Sequence, residues 1–229
     1  MRTIAILPVK SFGAAKQRLA VALGAGSRQA LAQAMFSDVL ASLRRVPGLD
    51  SVAVVTADRV AESAALGERV SVLRDTEQTG QSAAALIGIG YALSRGFERV
   101  VLVPGDTPLL DPGEVAALLR CGIENEVGVI VVPDRHGEGT NALVLSPPDA
   151  IEPTFGPGSC ERHQAAAHVA GVACAVERVP TLALDVDTGQ DLELLAATLE
   201  GRRGHAPSTR GALRQLDRSQ AWRRPPVPA

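Results

Sequence analysis

Val100-Val101-Leu102-Val103-Pro104-Gly105-Asp106-Thr107-Pro108-Leu109-Leu110 is an apolar run that ends in a turn and a carboxylate. Four consecutive apolar residues suit a strand covered on both faces, as in a parallel sheet, and Pro104-Gly105 stops the ladder. In open α/β sheets ligands sit beyond the carboxyl ends of the strands, so Asp106 falls where a ligand is handled. An Asp in such a turn also serves to bond its own backbone. Both roles are open for Asp106 until the rest of the chain is weighed.

Outward from this run, strands and helices alternate. Residues 3–9 predict a strand, and 27–45 a helix with Ser27 as its cap and Leu31, Met35, Val39 and Leu43 on one face. After Pro47-Gly48 come a strand at 51–56, a short helix from the cap Asp58 through Leu66, and a strand at 70–73. Residues 82–95 predict a helix with Leu86, Ile89 and Leu93 inward, ended by Gly96. Asp111 and Pro112 open another helix with Glu114 at its third position. Strands at 127–132 and 141–145 flank the polar loop 134–139. Residues 159–170 predict a helix, 174–179 and 182–184 extended chain, and 191–199 the last helix. Strands separated by helices define an α/β fold with a mostly parallel sheet covered by helices on both faces.

With 229 residues, 46% hydrophobic and only 3% aromatic, the chain can bury one core of Ala, Val and Leu, here assigned to a domain at 1–200. No apolar run approaches the ~18 residues of a membrane span, and the first residues are too soon interrupted for a signal peptide, so a cytoplasmic protein without a membrane role is expected. Cys121, Cys160 and Cys174 are odd in number and widely spaced, which argues against a disulfide framework or a zinc site. The net charge of −2 hides an asymmetry: from 201 onward seven Arg (202, 203, 210, 214, 218, 223, 224) face Asp217 alone, leaving 16 basic and 24 acidic side chains in residues 1–200. This Gly- and Pro-containing tail, 201–229, is expected to be largely disordered, with at most one short helix near 212–221. A nucleic-acid arm using its Arg residues and Trp222 is the rival to a solvated extension.

Three groups of residues could carry chemistry. Lys10, Lys16 and Arg18 crowd the loop that leaves the first strand, a pattern suited to polyphosphate; the spacing is neither Walker A nor Gly-x-Gly-x-x-Gly. A solvated cationic face would look the same. Leu184-Asp185-Val186-Asp187-Thr188 is a second apolar approach ending in acid, and in extended Asp-x-Asp both carboxylates point one way. With Asp106 they form a hard-oxygen set suited to Mg²⁺ and substrate phosphates, unless Asp187 or Thr188 merely caps the following helix. Gly139-Thr140-Asn141-Ala142 and Phe155-Gly156-Pro157-Gly158-Ser159 could offer backbone N–H groups to an acidic ligand, though Ser159 also reads as an ordinary helix cap. His136, His163 and His168 lack metal-ligand company and are assigned to the surface.

In order along residues 3–199, the segments Leu-Pro-Val-Lys-Ser-Phe-Gly, Val-Pro-Gly-Asp-Thr-Pro-Leu-Leu, Gly-Thr-Asn-Ala-Leu, Phe-Gly-x-Gly-Ser with a following His, and Leu-Asp-Val-Asp-Thr resemble the guanylyltransferases of coenzyme F-420 biosynthesis. These act on phosphoenolpyruvate or 2-phospho-L-lactate. The resemblance implies a single-domain GT-A-like (Rossmann-like) nucleotidyltransferase with Mg²⁺ held by Asp106, Asp185 and Asp187. It further implies that Lys10 and Lys16, with Arg18, neutralise the triphosphate of GTP, that Gly80, Gln81 and Ser82 lie at the guanine or ribose, and that Thr140, Gly156 and Ser159 hold the phosphorylated carboxylic acid. Catalysis would then fall to Lys10, Lys16 and Asp106. No nucleic acid is expected as a partner; a downstream enzyme of the pathway and a second copy of the chain are the candidate protein partners. The competing functions are a nucleotidyltransferase for another acceptor (3-phosphoglycerate, a sugar phosphate or molybdopterin) and a GTP-binding module without catalysis.

Overall fold

A computed structural model describes residues 1–202 and 204–222. Its seven strands are β1 (Thr3–Val9), β2 (Ser51–Thr56), β3 (Ser71–Arg74), β4 (Arg99–Leu102), β5 (Val129–Pro133), β6 (Thr140–Leu145) and β7 (Cys174–Val176), in the sheet order β3-β2-β1-β4-β6-β5-β7. β1 pairs in parallel with β2 and β4, β2 with β3, and β5 with β7, whereas β6 runs antiparallel to both β4 and β5. The sheet is thus mostly parallel, as its near-continuous apolar strands require.

Every residue of β1 is buried because both faces of the sheet are covered. Ala5, Leu7 and Val9 pack with Phe36, Val39 and Leu43 of α1 (Ala25–Leu43), Ala61 and Ala65 of α2 (Arg59–Gly67), and Val115 and Leu118 of α4 (Pro112–Glu124). Ile4 and Ile6 point to the opposite layer, with Ala85, Ile89 and Ala92 of α3 (Gln81–Ser94) and Ala167 of α5 (Ser159–Ala170). The caps predicted at Asp58 and Asp111 form, each carboxylate accepting two N–H groups of its helix's first turn. No helix among the described residues is long and apolar enough to cross a membrane.

Several elements differ from the sequence prediction. α1 starts earlier, from Gly24 without a side-chain cap, so Ser27 lies inside it. On α3 the buried stripe is Ala85, Gly88, Ile89 and Ala92, while Leu86 and Leu93 are 41% and 44% exposed. Close approach is the cause: a Cβ on Gly88 would lie 2.2 Å from Ile6 Cγ2, so glycine brings α3 against β1 on this face. In place of extended chain at 182–184, the backbone turns at 180–182 and bends at 183, with Leu182 N donating to the Val179 carbonyl at 3.0 Å and the carbonyls of Leu182 and Ala183 accepting from the Asn141 side-chain amide at 2.8 and 3.2 Å.

The tail needs the largest correction. Residues 207–218 form α7 (Pro207–Arg218), which follows α6 (Gly189–Gly201) and packs on α1. Leu213, Leu216 and Trp222 enter a third apolar cluster with Leu31, Met35, Leu195 and Leu199. A helix this polar gains stability from tertiary partners rather than propensity, and α1 supplies one: the buried Asp38 carboxylate accepts from Ser208 N and Thr209 N at 3.1 and 2.7 Å. With Trp222 buried, base stacking by that ring is not available. Arg203, Arg223 and Arg224 lie outside the described residues.

Gly88→Ala is expected to lower stability by about 1–3 kcal/mol through overpacking against Ile6, read as a fall in the urea midpoint at unchanged slope. Asp38→Ala should remove the α7 cap at a cost of about 1–2 kcal/mol. Trp222, the single tryptophan, reports it directly: its fluorescence should shift to the red at lower urea than in the parent protein.

Candidate active site

The carboxyl ends of β1, β3 and β4 open onto one cavity of about 510 Å³. Lys10 leaves β1 directly. The chain then makes two short 3-10 turns, Phe12–Ala14 and Gln17–Val21, with Lys16 between them in the left-handed region at φ 57°. That conformation costs a non-glycine residue roughly 1–2 kcal/mol, and the ion pairs of Lys16 hold it. Its ammonium, only 7% exposed, bonds Asp106 Oδ2 and lies 2.8 Å from Asp187 Oδ1. Arg18, well exposed, approaches Asp187 Oδ2 at 3.8 Å. Burial opposes the charge on Lys16, but Asp106 and Asp187 outweigh it and raise its pKa, so the side chain stays an ammonium. Burial likewise pushes Asp187 up, yet Lys16, Arg18 and Lys10 together hold its carboxyl below the usual range.

Asp185 behaves differently. Burial and then the neighbouring charge of Asp106 raise its pKa, against a 3.1 Å hydrogen bond from Asn141 Nδ2. The three acids therefore share a neighbourhood without forming a ready-made ligand cluster; among the described residues no group of three Asp, Glu, His or Cys side chains is arranged to hold a metal. Lys16 takes the place between two of them. One donor stays open: Asp106 Oδ1 is buried without a hydrogen-bond partner.

Thr188, not Asp187, caps α6, its hydroxyl accepting from Asp191 N at 3.3 Å. Thr188 and Asp191 form a reciprocal capping box, and Asp191 Oδ2 also accepts from Asp187 N at 3.1 Å. Asp187 thus leaves its carboxylate to Lys16. Arg135, in the 134–139 loop, anchors Asp191 Oδ1 at 2.6 Å. By sequence Arg135 and Asp191 carry no site role and Asn141 enters only within the segment 139–142, although Asp191 at the third position after Thr188 is a capping-box signal.

Gly80 and Gln81 line the same cavity as Lys10, Lys16, Arg18, Asp106 and Asp187. Ser82 faces elsewhere, its Oγ accepting from Phe155 N at 2.9 Å and so tying α3 to the Gly-rich turn. Thr140 and Ser159 lie together, Ser159 donating to Thr140 Oγ1 at 3.0 Å, both buried, with Gly156 exposed at φ 111° beside them. Ser159 is not the helix cap: Gly158 takes that position. His163, assigned to the surface by sequence, is fully buried. Its Nε2 accepts from Thr154 N at 2.9 Å, which fixes the proton on Nδ1 and makes it the donor to Thr140 Oγ1 at 3.1 Å. Burial, followed by Arg162, lowers its pKa to about 4. The stripe Ser159, His163, Ala167 at intervals of four was the missed signal.

A parallel-strand edge carrying a cationic loop and paired acids around one cavity is a nucleotidyltransferase arrangement, and solved structures agree on the fold. A crystal structure from Desulfovibrio desulfuricans G20 superposes with a TM-score of 0.76 at 20% identity, covering 95% of this chain and 96% of that one. A cytidylyltransferase from Leptospira borgpetersenii gives 0.59 at 14% identity with full coverage of both chains. The chain belongs to the family described as "Guanylyl transferase CofC like", whose model matches residues 3–218. Phosphoenolpyruvate guanylyltransferase of Conexibacter woesei is 49% identical over 96% of this chain and 98% of its own length. 3-phospho-D-glycerate guanylyltransferase of Colwellia psychrerythraea is 35% identical over 86% and 92%.

The His163 environment has a measurable consequence. Below its ordinary pKa of 6.5 the unfolded chain binds a proton that the folded chain refuses until about pH 4. Stability is therefore lost as pH falls through that window and levels off below it. The stability gap between the parent and His163→Gln should narrow by about 2–3 kcal/mol from pH 7 to pH 4, as followed by urea unfolding; a gap independent of pH would contradict a buried neutral imidazole.

Proposed function

We propose that this guanylyl transferase moves GMP from GTP to phosphoenolpyruvate with Mg²⁺ present, releasing diphosphate, as a cytoplasmic enzyme of coenzyme F-420 biosynthesis. The observation that carries it is the grouping of Lys10, Lys16, Arg18, Asp106 and Asp187 with Gly80 and Gln81 around one cavity of about 510 Å³, a size suited to a small-molecule ligand. The choice of phosphoenolpyruvate over 3-phospho-D-glycerate follows the 49% against 35% identity of the two named relatives.

In the reaction a phosphate oxygen of the acid attacks the α-phosphorus of GTP. The bond from that phosphorus to the β-bridging oxygen breaks, and diphosphate departs with the electron pair. The attacking phosphate is already ionised at neutral pH, so no general base is required, and Lys16, held as an ammonium, could not act as one. The protein positions and neutralises charge. Lys10, Lys16 and Arg18 compensate the triphosphate. Asp106, through its unpartnered Oδ1, together with Asp185 and Asp187 supplies the hard oxygen donors that suit Mg²⁺. When bound, the ion supplies positive charge to phosphate oxygens. Thr140, Gly156 and Ser159 take the acid: with Ser159 and His163 both directed at Thr140 Oγ1, the Thr140 hydroxyl hydrogen is left to donate to a ligand oxygen.

Asp106→Asn or Asp187→Asn should lower turnover at least about 100-fold, the scale of a lost charge-stabilising group, with the circular dichroism of the parent. The assay is diphosphate release from GTP and Mg²⁺ with phosphoenolpyruvate, 2-phospho-L-lactate or 3-phosphoglycerate, and mass spectrometry of the product. Near-parental release by either variant would overturn the metal assignment, and GTP binding without diphosphate release from any acid would overturn the proposed reaction.

A further inference from the structure

Asp75 is a nearly buried carboxylate with an incomplete set of partners. It directly follows β3, is 8% exposed, and lines the cavity that also holds Lys10, Lys16 and Asp106. Its Oδ1 accepts from Gln78 N at 2.9 Å. Among the described residues its Oδ2 has no hydrogen-bond partner, and no cation pairs with it. A buried carboxylate is costly unless donors surround it, and the wall offers one. Its Oδ2 is left open to the cavity, where a bound ligand's donors can reach it. The neighbouring groups are of another kind: Gln78 and Gln81 carry side-chain amides on the cavity wall, and Gly80, at φ 134°, opens α3 without a side-chain cap.

We infer that Asp75 selects the base of the nucleotide, its carboxylate accepting the N1–H and the 2-amino N–H of guanine together. The inference rests on GTP being the donor nucleotide, as proposed above. Guanine alone among the common bases presents two adjacent donors on one edge. Adenine and cytosine set a ring-nitrogen lone pair against the carboxylate, and uracil offers one N–H between two carbonyls. A carboxylate oxygen accepts more than one hydrogen bond, so the Gln78 N–H bond is kept when the base is bound. The amides of Gln78 and Gln81 then face the acceptors O6 and N7. Asp75 also closes an Asx turn through Gln78, and a purely structural role has to be separated from base selection.

Asp75→Asn makes that separation, because an Asn carbonyl still accepts from Gln78 N. The nucleotides to compare on the parent and variant are GTP, ITP, which lacks the 2-amino group, XTP, which has a carbonyl there, and ATP. Both kcat/KM and nucleotide affinity by titration calorimetry are read. In the parent, ITP should be about 10- to 100-fold weaker than GTP, the span of one hydrogen bond to a charged group. Asp75→Asn should lose GTP by a similar factor or more, gain in XTP relative to GTP because the new amide can donate to the 2-carbonyl, and keep the parental KM for the acid. Equal use of GTP and ITP by the parent, or a uniform loss of all four nucleotides in the variant, would overturn the inference. Calorimetry gives this answer without turnover. GTP-selective binding with no diphosphate release from any acid would therefore sink the proposed reaction and leave the role of Asp75 standing.

Discussion

One ammonium group holds three distant parts of the chain in register. Lys16 Nζ binds Asp106, 90 residues away, and Asp187, 171 residues away. Burying a charge is unfavourable by several kcal/mol unless its partners are well placed, so the loop after β1, the turn after β4 and the segment before α6 must assume their positions jointly. Each is braced independently. Leu19 is buried beside Lys16, Val186 N donates to the Asp106 carbonyl at 3.2 Å, and Asp191 fixes the backbone of Asp187. The left-handed backbone at Lys16 becomes intelligible as the conformation that delivers the ammonium to both acids.

The inverted strand β6 completes this edge. Because β6 runs antiparallel to β4, with Leu102 opposite Leu143, its first residues rather than its last lie beside the chain leaving β4. Thr140 and Asn141 therefore sit on the same edge as Asp106. Asn141 spans the gap to Leu182, Ala183 and Asp185, and Thr140 collects Ser159 and His163 from α5. A uniformly parallel sheet would send these residues to the opposite edge.

What could be read from the sequence follows from how local each signal is. Strand and helix order, the caps at Asp58 and Asp111, and the strand-end position of Asp106 depend on a few neighbouring residues, and they are found. The hydropathy of α3 favours Leu86 and Leu93 as its inward face, while the separation from β1 at Gly88 leaves no room for a Cβ there; that distance is a tertiary fact. His163 was misplaced for a related reason: its hydrogen-bond partners are Thr140, 23 residues back, and the Thr154 N–H at the turn. The candidate acids and lysines were legible as residue types at strand ends. Their arrangement, with Lys16 between Asp106 and Asp187 and with Asp185 held by Asn141, depends on side-chain placement across three segments that no spacing encodes.

The tail shows the same limit from the energetic side. Its composition suggests a chain too poor in apolar residues to order itself. Order comes from α1, which offers the Asp38 carboxylate to the start of α7 and the side chains of Leu31 and Met35 to its apolar face. Met35 lines the candidate active-site cavity from the other side, and Leu184 and Val186, on either side of Asp185, belong to the same apolar cluster as Leu213 and Trp222. The segment expected to be largely disordered thus packs behind the residues that carry Asp185 and Asp187. The α7 side chains and the residues flanking Asp185 share one close-packed cluster, and the family match likewise runs through α7 to residue 218.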